Sequence, residues 1–114
     1  MTTRTADGSN SEVKRVYAYV GADDAQKRAA LDRLAAELVE PDTRDFDFET
    51  LYGPEVTAER LVAACNVAPL ASKRRLVVVT QANDIVIAEQ TAVSQRLDRL
   101  PESVCLVFIT LAPE

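Results

Sequence analysis

A chain of 114 residues with 47% apolar and 27% charged side chains has the size and balance of one globular domain, able to bury a core without metals or disulfides. Eighteen acidic against 13 basic side chains leave a formal charge of −5, which excludes general attraction to phosphate backbones or anionic membranes and makes any nucleic-acid role indirect or local. Histidine is absent, and with it imidazole base catalysis, Ser-His-Asp and Cys-His chemistry and most zinc sites.

Residues 1–12 are rich in Thr, Ser, Asp and Gly and nearly free of apolar side chains, so they are expected to form a flexible arm. They lack the apolar core of a secretion signal. No later apolar run approaches the ~18 residues of a membrane span, and a cytoplasmic protein is expected. The single domain is expected over residues 13–114. Val16 to Val20 (VYAYV) is a β-branched and aromatic run ending at Gly21, which predicts a fully buried strand. Asp23 is placed as the N-cap of the next helix, with Gln26 completing a capping box and Leu31, Leu34, Ala35 and Leu38 on one apolar face; Pro41 ends it. Phe46, Phe48 and Leu51 are interleaved with Asp45, Asp47 and Glu49, predicting a second strand with one wet face, as at a sheet edge. Gly53 and Pro54 turn the chain.

Thr57 can cap a shorter helix carrying Leu61, Val62 and Cys65, and Pro69 then makes 66–72 a helix end or an exposed corner. Leu76 to Val79 (LVVV) predicts the clearest buried strand. Asp84 is expected to open a third helix with Ala88, Ala92, Val93, Leu97 and Leu100 in register, closed by Pro101. Val104 to Thr110 supplies a fourth strand. Cys65 and Cys105 sit among apolar neighbours on different elements and are expected to be buried, reduced structural thiols. The β-α-β-α-β-α-β order predicts an α/β fold: a mainly parallel sheet covered on both faces, a three-layer sandwich like that of the P-loop nucleoside triphosphatases.

Ligands of open α/β sheets bind beyond the carboxyl ends of the strands. The first such turn, Gly21 to Ala29 (GADDAQKRA), keeps Gly21 and Lys27 of a phosphate-binding G-x-x-x-x-G-K-[ST] loop. It has Gln26 where the second glycine belongs and Arg28 in place of the magnesium-binding hydroxyl. After the third strand, where an ATPase carries acids for magnesium and water, stand Thr80 and Gln81. Both halves of a nucleotide site are degenerate, so no cofactor and no catalytic residue are expected. Asp23 and Asp24 could be the acidic pair of a phosphoryl-receiver domain, but Thr80 replaces the phosphorylatable aspartate and no fifth strand follows; helix capping is the other reading. Lys73, Arg74 and Arg75 form a basic run, either a solvated lead-in to the third strand or a contact for phosphate or an acidic partner. Thr110 lies where a polar sensor would stand, or is an ordinary strand-end threonine.

Several local patterns coincide with one family. VYAYVGADD (Val16 to Asp24) resembles the opening strand and acidic-capped helix of the delta subunit of bacterial DNA polymerase III, and Pro69 to Val79 (PLASKRRLVVV) is similar to its P-L-F-S-x-R-R-L-V-V-V stretch, followed by Ala82-Asn83-Asp84. The resemblance spans Val16 to Thr110. It implies an AAA+-related, catalytically inert clamp-loader module of a DNA-directed DNA polymerase holoenzyme. Such a module grips and helps open the ring-shaped sliding clamp during replication, with other clamp-loader subunits as partners and DNA met only indirectly. The family's exposed Leu-Phe plug maps to Leu70 and Ala71; the alanine removes most of the aromatic area, leaving Val67, Pro69 and Leu70 as the candidate contact, unless Leu70 packs inward. The family's lid and collar domains have no counterpart in these 114 residues. A diverged nucleotide-binding protein using Lys27, or a scaffold domain, are the competing readings.

Overall fold

The computed structural model describes residues 13–112; the arm expected over residues 1–12 lies outside them. In chain order the elements are β1 (Val16–Tyr19), α1 (Asp24–Leu38), α2 (Arg44–Asp47), β2 (Phe48–Tyr52), α3 (Ala58–Cys65), β3 (Arg75–Thr80), α4 (Ile87–Ser94) and β4 (Val104–Ile109), with short 3-10 turns at Pro41–Thr43, Gly53–Glu55, Ala82–Asp84 and Leu97–Arg99. The strands form one sheet in the order β1-β4-β3-β2, every pair parallel.

Strand alternation divides the interior into two layers. Leu76, Val78, Cys105, Val107 and Ile109 meet Leu34, Ala35 and Leu38 of α1 on one face. Val77, Val79, Val104 and Leu106 meet Ala58, Leu61, Ala64 and Cys65 of α3 and Val93 of α4 on the other. This is the α/β three-layer sandwich expected from the element order. β3 and β4 are central and almost wholly enclosed, which is why their sequences are unbroken apolar runs. Both cysteines are free and buried, and burial raises their thiols to about 11 at Cys65 and about 12 at Cys105.

Local chemistry fixes the helix starts. Asp23 caps α1 by accepting the Gln26 amide at 3.0 Å, the first half of the expected capping box, and Thr57 caps α3 through the Arg60 amide at 3.0 Å. A second acceptor serves α3 from outside: Glu89 takes the Ala58 amide at 2.8 Å, placing a carboxylate at the positive end of the helix. Asn66 ends α3 by donating to the Val62 carbonyl at 2.9 Å.

Three expectations are corrected. VYAYV is an edge strand, not a fully buried one: β4 is its one neighbour, Ala18 is exposed, and Val20 lies beyond the pairing. The expected strand from Asp45 begins only at Phe48, because Arg44–Asp47 closes a helical turn; Phe46 is thrown outward and Asp47 inward. Phe48 and Leu51, three residues apart, therefore face opposite layers. Asp84 does not open the third helix. Gln81 adopts a left-handed conformation (φ 49°) that starts a 3-10 turn, α4 begins at Ile87 without a side-chain cap, and Ala88 is exposed.

Candidate functional site

Two places at the rim of the sheet carry the sequence's candidate residues. The first is the β1–α1 turn. Gly21 holds φ 115°, a conformation that glycine adopts without a Cβ clash, and Gln26 and Arg28 are exposed. Lys27 is buried and points back across the strand ends. Its ammonium donates to the Gly21 carbonyl at 2.6 Å and to the Thr110 carbonyl, lies 3.2 Å from the Thr110 hydroxyl, and pairs with Asp24 at 3.1 Å. An ammonium has three protons, so these acceptors use all of them. Thr110 in turn donates its hydroxyl toward the Tyr19 carbonyl, and Asp24 accepts the Ala112 amide at 2.9 Å. The Ala112 amide, then Lys27, hold the Asp24 carboxyl below its ordinary value.

This arrangement does not fit a magnesium-bound triphosphate. The lysine that would reach a phosphate is committed to the protein's own strand ends. Across the sheet Thr80 donates to the Leu51 carbonyl at 3.4 Å, and Gln81 follows it where a carboxylate would be needed. Gly53 packs tightly against that turn: a Cβ there would stand 2.2 Å from the Gln81 carbonyl oxygen. Among the described residues no cluster of three or more His, Cys, Asp or Glu could hold a metal ion, and no helix is long and apolar enough to cross a membrane.

The second place is the corner between α3 and β3. Leu70 is 63% exposed and Val67 49%, Pro69 is half-buried and Ala71 exposed, so the inward packing of Leu70 left open by the sequence does not occur. What holds the corner open is a pair of buried charges. Asp47, with no exposed surface, accepts the Leu70 amide at 2.7 Å on one oxygen. Its other oxygen accepts the Ala71 amide at 3.2 Å, the Ser72 amide at 3.1 Å, and the Ser72 and Thr43 hydroxyls at 2.6 Å each. Burial pushes this carboxyl up, but the Ser72 and Thr43 hydroxyls and the Leu70 and Ala71 amides outweigh it and hold it well below the usual range. The Ser72 hydroxyl also accepts the Glu40 amide at 2.8 Å, and the Lys73 amide caps the Leu38 carbonyl of α1 at 3.0 Å.

Arg75 completes the frame from the far side. Its guanidinium donates to the Ala64 carbonyl at 3.0 Å, to the Phe46 carbonyl and to Glu49, which also pairs with Arg60 at 2.5 Å. The supposed basic patch is therefore dispersed: Arg75 is buried, Arg74 reaches back to the Val13 and Lys14 carbonyls, and Lys73 alone is exposed. Sequence reasoning missed Asp47 and Arg75 as positioning residues and Phe46 as an exposed one. The available signal was the conjunction of a buried-strand run starting directly after Arg75 with an aspartate set between two phenylalanines.

The P-L-x-S-x-R-R-L pattern now has a physical content: Leu70 is displayed, Ser72 and Arg75 hold the display, and Leu76 starts the core. A solved structure of the Bacillus subtilis DNA clamp loader delta protein, YqeN, superposes with a TM-score of 0.77 at 18% identity, over 90% of this chain and 32% of that one. A DNA polymerase III gamma subunit-related protein of Thermotoga maritima superposes with a TM-score of 0.69, also at 18% identity, over 90% of this chain and 36% of that one. The chain thus spans about a third of the length of each. No curated protein sequence matches it. The family model described as DNA polymerase III, delta subunit, matches residues 17–111, nearly the whole described domain, and the chain belongs to that family.

Proposed function

We propose that this chain is the clamp-gripping module of a clamp loader: a binding domain that presents the 67–71 corner to an apolar pocket on the sliding clamp and so helps to open the ring during DNA replication. It works in the cytoplasm beside other clamp-loader subunits and meets DNA only through them. The supporting observation is a large exposed aliphatic side chain, Leu70, on a loop whose amides are gripped by a fully buried carboxylate. Holding a loop rigid in this way removes the ordering cost that a mobile loop would bring to binding.

The module needs no nucleotide of its own in this reading, because Lys27 is occupied by Gly21, Thr110 and Asp24. It carries no catalytic residue; the polymerase activity of the holoenzyme lies in other subunits. Calorimetry with the sliding clamp of the same organism tests the proposal. Binding is expected, with Leu70→Ala weakening it by about tenfold or more, the loss typical of a central anchor. A clamp that gives no heat and no complex at any concentration of the chain defeats it. Titration with Mg-ATP is expected to be flat, and a saturable signal would favour the competing nucleotide-binding reading.

A further inference from the structure

We propose that Phe46 is a second anchor of the same contact surface, entering the partner's apolar pocket beside Leu70; this rests on the clamp-gripping reading above. Phe46 is 65% exposed, the most exposed aromatic among the described residues. A phenylalanine so placed leaves on the order of 100 Å² of apolar area in water. Ala71, the direct neighbour of Leu70, offers little such area, so Phe46 is the residue that adds a large apolar surface to a contact centred on the corner.

The frame that displays Leu70 also fixes Phe46. Its carbonyl accepts from the buried guanidinium of Arg75, and the next residue, Asp47, grips the Leu70 amide at 2.7 Å. Summing one peptide step, the reach of an aspartate and that hydrogen bond bounds the Phe46–Leu70 Cα separation at about 12 Å, a span that one apolar pocket covers. Leu70 is held by Asp47, and Phe46 by Arg75 and by its peptide link to Asp47, so both are set before any partner arrives. Their neighbours in the chain, Arg44, Asp45 and Lys73, are charged and exposed, the composition of a polar rim beside an apolar contact. Tyr52, the other strongly exposed aromatic, closes the opposite end of β2, away from Phe46.

The affinity of this chain for the sliding clamp, measured with Phe46→Ala, Leu70→Ala and Ile87→Ala, separates the claims. Ile87 is 78% exposed at the start of α4 and serves as the control away from the corner. Phe46→Ala and Leu70→Ala are each expected to weaken binding about tenfold or more, with an unchanged melting temperature for Phe46→Ala and no effect of Ile87→Ala. Wild-type affinity in Phe46→Ala together with loss in Leu70→Ala overturns the role of Phe46 and leaves the clamp reading standing. No binding by the unsubstituted chain overturns both. Equal losses in Ile87→Ala also count against the corner. Hydrogen exchange on the unsubstituted chain gives a test that needs no variant: slowed exchange at residues 45–48 as well as 67–71 on adding clamp supports the proposal, and protection confined to 67–71 overturns it.

Discussion

Replacing Asp47 by asparagine tests whether the corner is held as described. The side chains have the same shape, and one carboxamide oxygen can still accept the Leu70 amide. The other position becomes an NH2 group facing the Ala71 and Ser72 amides, which donate and cannot accept, so up to four hydrogen bonds to one oxygen are lost or inverted. A hydrogen bond to a charged group contributes about 1.5–3 kcal/mol, but bonds sharing one acceptor are far from additive, so a loss of about 2–4 kcal/mol is expected. For a domain of this size that is about 10 °C or more in melting temperature. Urea unfolding of both proteins measures it, and native-state hydrogen exchange should localise it to faster exchange at the 70–72 amides. The sign of the pH dependence follows from the lowered carboxyl. The unfolded aspartate, near its ordinary value of about 3.9, binds protons before the folded one does, so this stabilisation is complete above about pH 5 and is lost progressively as the pH falls further. Wild type should therefore lose stability below about pH 5 more steeply than Asp47→Asn. A variant within about 0.5 kcal/mol of wild type, with the same acid slope, refutes the account of the latch.

Other perturbations read different parts of the frame. Lys27→Met is expected to destabilise by about 2 kcal/mol in urea, because the Gly21 and Thr110 carbonyls lose their buried donor. Arg75→Lys should cost at least as much, since one ammonium cannot reach the Ala64, Phe46 and Glu49 oxygens served by the guanidinium fork; a melting temperature equal to wild type would contradict that geometry. Gly53→Ala should lower the melting temperature by several degrees, because its methyl collides with the Gln81 and Thr80 carbonyls. Cys65 and Cys105 should resist iodoacetamide at pH 8 in the native protein and react readily in urea, as expected for buried thiols with raised pKa.

The core was legible because β3 and β4 are central in a parallel sheet, where burial on both faces writes itself as LVVV and VCLVFI. The caps at Asp23 and Thr57 were legible because they are satisfied within three residues of chain. What failed depended on distant partners. Phe46-Asp47-Phe48 reads as alternation on a strand and as a helical turn equally well; the decision is made by amides more than twenty positions later. Arg75 sits in a basic run that looks solvated until acceptors from Ala64, Phe46 and Glu49 surround it. Lys27 kept the spacing of a phosphate-loop lysine, but spacing does not say which way an ammonium turns. The exposed corner was foreseen from Pro69, whereas its rigidity was not.

Pairing of β1 with β4 bears on how the domain comes into being on a ribosome. β1 has no sheet neighbour until residues 104–109 have been made, and until then its tyrosine-rich segment leaves its backbone amides to water. The stretch from Thr43 to Thr80, by contrast, holds both buried charges of the corner and the β2–β3 pair, so the contacts that display Leu70 are close in sequence while those that close the sheet are not.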